Sequence, residues 1–197
     1  LYMGYVGFSV AFAFAIAALI IVHPKELTDT TLYAIDQFLM RGGRLMAFVD
    51  PLCTSDQAGA QGQFGPRQST ASMRKLFDAW GVSVSEFQVV ADIDAGTRLR
   101  VGNDRVESVP VWLTLTRGNE HINADDIVTS ELEMLMLPYA ASISADGSVD
   151  GIELTPLLTS SENSAVVSAM TAQFGMDGIR REFSSGRTSI APSRATC

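Results

Sequence analysis

The chain has 197 residues, 47% of them apolar and 18% charged, and a formal net charge of −8. That composition suits one globular domain, or a tight pair, mixing helix and strand, and it argues against disorder. Lysine occurs only at Lys25 and Lys75, and no basic cluster exists that would displace counterions from a phosphate backbone, so nucleic acid is not an expected partner. The two cysteines, Cys53 and Cys197, make no disulfide framework, and His23 and His121 stand without the neighbouring Cys/His pairs of a zinc motif. Neither a metal nor a cofactor is expected from these spacings.

Residues 1–22, "LYMGYVGFSVAFAFAIAALIIV", hold no charge and are long enough to cross a bilayer as a helix. The competing reading makes "AALIIV" (17–22) a buried parallel strand, and periodicity does not decide between the two. After "HPKEL", Thr28 is placed to cap a helix with Asp29 at its positive end. Leu27 and Leu32 are spaced as a hydrophobic staple, and Leu32, Ile35, Phe38 and Leu39 form one apolar stripe. Gly42 is suited to the left-handed turn that ends such a helix. "RLMAFV" (44–49) then reads as a continuous apolar strand, so strand, helix and strand with short joins predict a βαβ unit.

Residues 53–69, "CTSDQAGAQGQFGPRQS", form a Gly/Gln-rich loop of unusual length, followed by a helix capped at Ser69 or Thr70. In that helix Met73, Leu76, Phe77 and Trp80 share a face, and Gly81 ends it. "VSVSEFQVV" (82–90) predicts one strand. "TRLRVGNDRVESVPVWLTLT" (97–116) predicts strands around a Gly-Asn-Asp turn, with Val109, Val111, Leu113 and Leu115 on one face. "NADDIVTSELEML" (123–135) predicts a short amphipathic helix with Asp125 and Asp126 in its cap. Two further strands are expected after it, joined as a hairpin near Asp146-Gly147. The polar, Gly/Pro-punctuated residues 184–197 predict a disordered tail.

His23 and Asp50 each follow a predicted parallel strand, the edge at which ligands collect in open α/β sheets. Cys53 follows closely, but "DPLCTSD" lacks the flanking glycines of a nucleophile elbow. These three residues are the candidate ligand-binding group, and the plain alternative makes them strand-end and loop residues that stabilise turns. No base–nucleophile spacing completes a catalytic site around them. Gly59, Gly62 and Gly65 invite a phosphate-loop reading, yet no Gly-Lys-Ser/Thr follows, so this sequence carries no ATPase loop. Trp80, Trp112, Met134 and Met136 read as core or as an interaction face. Asp125, Asp126, Glu131 and Glu133 read as a solvated face or a weak cation site.

"ALIIVHPKELTDTTLYAIDQFLMRGGRLMAFVDPL", "LFDAWGVSVSEFQVVADIDAGTRLRV", "INADDIVTSELEMLMLPYAASI" and "LTPLLTSSENS" together resemble the auxiliary component of ABC-type transport systems, the GldG-like family associated with gliding motility. The likeness runs from about Ala18 to Val167. It implies a Rossmann-like (amidotransferase-like) α/β fold, a parallel sheet core with added antiparallel hairpins. It also implies an extracytoplasmic domain that faces the periplasm and is tethered to the bacterial inner membrane by helices elsewhere. Partners would be an ABC permease and a separate ATPase subunit, with no catalytic residues. The chain then divides into an apolar segment unlike the family (1–17), the GldG-like α/β domain (18–183) and the polar tail (184–197). An alternative from the same fold likeness is an amidotransferase-like enzyme or sugar-binding protein using His23, Asp50 and Cys53. A third is a single-pass membrane protein spanning at 1–22.

Overall fold

The computed structural model describes residues 18–53, 73–101, 105–145, 149–173 and 176–184. The apolar segment 1–17, nearly all of the Gly/Gln-rich loop with its Ser69 and Thr70, the Gly-Asn-Asp turn, the Asp146-Gly147 turn and the tail from 185 lie outside the described residues.

The first unit is built from β1 (Ala18–Val22), α1 (Asp29–Met40) and β2 (Arg44–Phe48). Its helix forms where local chemistry asks for it. The Thr28 side chain accepts from Thr31 N, Asp29 sits in the first turn, Leu32 and Ile35 are buried, and Gly42 at φ 86° releases the chain. β1 and β2 pair in parallel, from Ala18↔Arg44 to Val22↔Phe48. Ala18–Val22 is therefore strand, which rules out an unbroken helical span over 1–22, since one backbone segment does not take both forms. Among the described residues no helix is long and apolar enough to cross a membrane.

α1 and the short α2 (Arg74–Ala79) cover one face of this pair. Leu32, Ile35, Met73 and Leu76 form a buried cluster against Leu19, Ile21, Leu45, Ala47, Phe77 and Trp80. Trp80 Nε1 donates to Asp36 Oδ1 at 3.2 Å and ties the two helices together. Gly81, at φ 66°, ends α2 as expected.

Beyond α2 the chain abandons the parallel plan. β3 (Val82–Val84) pairs antiparallel with β8 (Ile143–Ala145), and β4 (Gln88–Asp92) with β9 (Ser164–Ser168). β5 (Gly96–Val101), β6 (Arg105–Thr116) and β7 (Met134–Pro138) form an antiparallel three-stranded sheet. The helices α3 (Ala169–Gln173) and α4 (Met176–Ser184) follow β9. β4 is buried on both sides: Val89 and Ala91 join a cluster with Val111, Val167, Ala169 and Ile179, while Val90 joins Leu113, Leu115 and Ile122.

The expected Rossmann-like parallel core is thus not present. The fold is mixed α/β with mostly antiparallel sheets, and β1–β2 is the one parallel pair among the described residues. A parallel sheet grows by crossovers of a dozen or more residues, normally helical, and the described residues between β2 and β4 hold one short helix and a three-residue strand that pairs antiparallel with β8. Of the later strands, β5 and β6 are joined by three residues (102–104), a hairpin length that sets them antiparallel. The strand expected at 82–90 is two strands, divided where Ser85 Oγ donates to Gln88 O and accepts from Ser142 N. The helix expected at 123–135 is a series of turns leading into β7. Asn123 Oδ1 accepts from Asp125 N and Asp126 Oδ1 from Val128 N, so the side chains cap the backbone in place of a helix ladder. Nor does β8 form a hairpin with the strand that follows it: β8 belongs to β3 and β9 to β4.

Candidate functional site

Parallel pairing carries the ends of β1 and β2 to the same edge. His23 N–H donates to Phe48 O at 2.9 Å, adding one rung past the last strand pair. His23 then takes φ 48°, a left-handed conformation uncommon outside glycine, and turns the chain toward the buried Pro24. After β2, the buried Pro51 anchors the turn that follows Asp50. The outcome is convergence. His23 Nδ1 lies 3.5 Å from Asp50 Oδ2, and ligand-capable atoms of His23, Asp50 and Cys53 all lie within 4.8 Å of one another. The His23 side chain is 16% exposed, Asp50 is 44% exposed, and Cys53 is a half-buried free thiol.

Several of the other candidates have structural roles. His121 is buried, its Nδ1 is 3.1 Å from Thr159 O, and its backbone carbonyl accepts from Thr159 N. Trp112 packs edge-on against Tyr139. Asp126 holds its turn, Glu133 pairs with Arg117, and the Arg117 guanidinium also donates to the carbonyls of Ser130 and Leu132. Met134 and Met136 project from β7 into solvent and are not core. The Gly59/Gly62/Gly65 loop lies outside the described residues. A surface groove of about 350 Å³ runs between α2 and β3–β4, lined by Arg74, Phe77, Asp78, Glu86 and Phe87 among others, and its lining includes none of the three converging residues.

One buried polar centre has no motif in the sequence. Asp92, fully buried at the end of β4, accepts from Asp94 N and Ala95 N (both 2.9 Å), Ser161 N (2.6 Å) and Ser161 Oγ (2.7 Å). Four donors around one carboxylate fasten two chain segments 69 residues apart, a structural clamp and not an open site. The available signal was "VVADIDAG", an acid closing an apolar run just before a turn.

Neither the curated proteins nor the solved structures contain a match to this chain. A family model described as "ABC-type uncharacterized transport system" matches residues 13–192, more than nine-tenths of the sequence. With a match of that extent, the chain belongs to the auxiliary-component family of ABC-type uncharacterized transport systems.

Proposed function

We propose that this chain is a non-catalytic, extracytoplasmic interaction domain of a membrane-anchored auxiliary subunit of the GldG-like, gliding-motility type. On this reading it faces the periplasm of a bacterial inner membrane and docks on the ABC permease of its own system, while a separate ATPase subunit powers transport. Family membership supports the transport role, and one feature of the fold supports docking. α1 and α2 cover a single face of β1–β2, and the opposite face presents Ile20, Val22, Met46 and Phe48, from 48% to 69% exposed. Contiguous exposed apolar side chains of this kind mark interaction surfaces, and among the described residues no further strand pairs with either edge of β1–β2. The permease is the chosen occupant because the family places this chain within a transport system.

A photo-crosslinker at position 46 of the intact protein, expressed with its own permease and ATPase, tests this reading. Cross-linking to the permease, lost in Ile20→Asp/Phe48→Asp, is the expected result. Cross-linking to a second copy or to residues 1–17, or purely cytosolic fractionation of the intact protein, overturns it. The amidotransferase-like alternative leans on the carboxyl edge of a parallel sheet, and the single parallel pair among the described residues does not provide that scaffold.

A further inference from the structure

The spacing of His23, Asp50 and Cys53 along the chain matches no metal motif, because the second lies 27 positions after the first. The fold removes that separation. We infer that His23, Asp50 and Cys53 form a three-ligand site for a zinc-class divalent transition metal ion at the shared end of β1 and β2.

Three observations carry the inference. First, the donor set is right: imidazole nitrogen, thiolate sulfur and carboxylate oxygen are the ligands of borderline-soft divalent ions, whereas calcium and magnesium take oxygen. Second, the distances fit. An N–H···O hydrogen bond spans about 2.7–3.2 Å. Two ligands each about 2.1 Å from a tetrahedral ion stand about 3.4 Å apart, and an edge to sulfur is roughly 3.6 Å. His23 Nδ1 and Asp50 Oδ2 are 3.5 Å apart, the length of such an edge. With all three donors within 4.8 Å, closing the group onto an ion takes side-chain movement of roughly 1 Å. Third, the backbone that holds them is anchored by the His23 N–H to Phe48 O bond and by the buried Pro24 and Pro51.

His23 Nδ1 is itself buried while Asp50 is partly open to solvent, so water supplies the fourth position. Binding would release the Cys53 thiol proton to solvent and tie the end of β1 to the turn after β2. This inference does not depend on the docking reading above.

The test uses the full chain, reduced and stripped of metal. Zn²⁺ titration against a competing chromophoric chelator should give one equivalent bound. Co²⁺ should give a thiolate charge-transfer band together with the visible bands of a four-coordinate ion. Cys197→Ser should keep that band, and Cys53→Ser should abolish it. His23→Ala and Asp50→Ala should each weaken Zn²⁺ by at least the ~10–100-fold typical of losing a ligand's supporting contact. Zn²⁺ should also raise the melting temperature of the unaltered chain, a readout that needs no variant to fold. No saturable Zn²⁺ binding to the unaltered chain, or a charge-transfer band that survives Cys53→Ser, overturns the site.

Discussion

Replacing Asp92 by asparagine keeps the size of the side chain and changes one of its two acceptor ends into a donor. In the folded protein Oδ1 takes Asp94 N, Ala95 N and Ser161 Oγ, and Oδ2 takes Ser161 N, with Asp92 wholly buried. An asparagine oriented to keep the three Oδ1 bonds turns its NH₂ toward the Ser161 amide, so two donors face each other. Both are then left without an acceptor, at about 1–3 kcal/mol each, and the three kept bonds lose their charge assistance. We therefore expect Asp92→Asn to destabilise by about 3 kcal/mol. Asp92→Ala orphans three backbone amides at once. The four bonds share one carboxylate and do not add in full, which places the loss at about 4–5 kcal/mol. Against a typical total of about 5–15 kcal/mol, the alanine variant should be largely unfolded or marginal at room temperature. Urea unfolding followed by far-UV circular dichroism reads both values, with the asparagine variant showing a lower midpoint at an unchanged m-value. An asparagine variant within about 0.5 kcal/mol of the original chain would refute the clamp, since solvent-exposed substitutions change stability by that little.

Leu113→Ala should cost about 2–5 kcal/mol in the same assay, because Leu113 is fully buried between β4 and its sheet neighbours and truncation leaves a cavity. The paired glycines after α1 should separate cleanly. Gly42→Ala meets open space but must hold φ 86°, for a loss of about 1 kcal/mol, whereas the Cβ of Gly43→Ala comes within 2.4–2.6 Å of three Phe38 ring carbons and should cost more, about 1–3 kcal/mol. Lys75→Ala should change stability by less than about 0.5 kcal/mol, since the Lys75–Asp29 pair is largely exposed on both sides.

What the sequence encodes locally, it shows plainly. Every feature that makes α1 lies within a few residues: the Thr28 cap, Asp29, the Leu32/Ile35 stripe and Gly42. The pairing of β1 with β2 is legible for the same reason, since a 21-residue connection holding one helix leaves few other partners. The remaining sheet order was not legible. β3 finds β8 some 60 residues away and β4 finds β9 more than 70 away, and apolar alternation records which face of a strand is buried but not which strand covers it. The turns at 123–135 escaped for another reason. Asn123 and Asp126 satisfy a helix-start pattern and an Asx-turn pattern equally well, and the demand of Arg117 for the Ser130 and Leu132 carbonyls selects the turns. Asp92 is illegible in the same sense, because its partner Ser161 belongs to a segment that only the fold brings near.

The parallel pair carries both the candidate site and the open face, and its geometry keeps them distinct. Side chains alternate along each strand, so Leu19, Ile21, Leu45 and Ala47 point into the helices while Ile20, Val22, Met46 and Phe48 point away. His23, Asp50 and Cys53 all lie past the last strand pair, His23 on the one further rung that its N–H makes to Phe48 O. A charge placed at Ile20 disturbs the surface that a partner would cover, and serine at Cys53 removes the thiol from the cluster. Parallel pairing accounts for this arrangement. In an antiparallel pair the end of one strand meets the start of the other, and His23 would lie beside Arg44 instead of near Asp50.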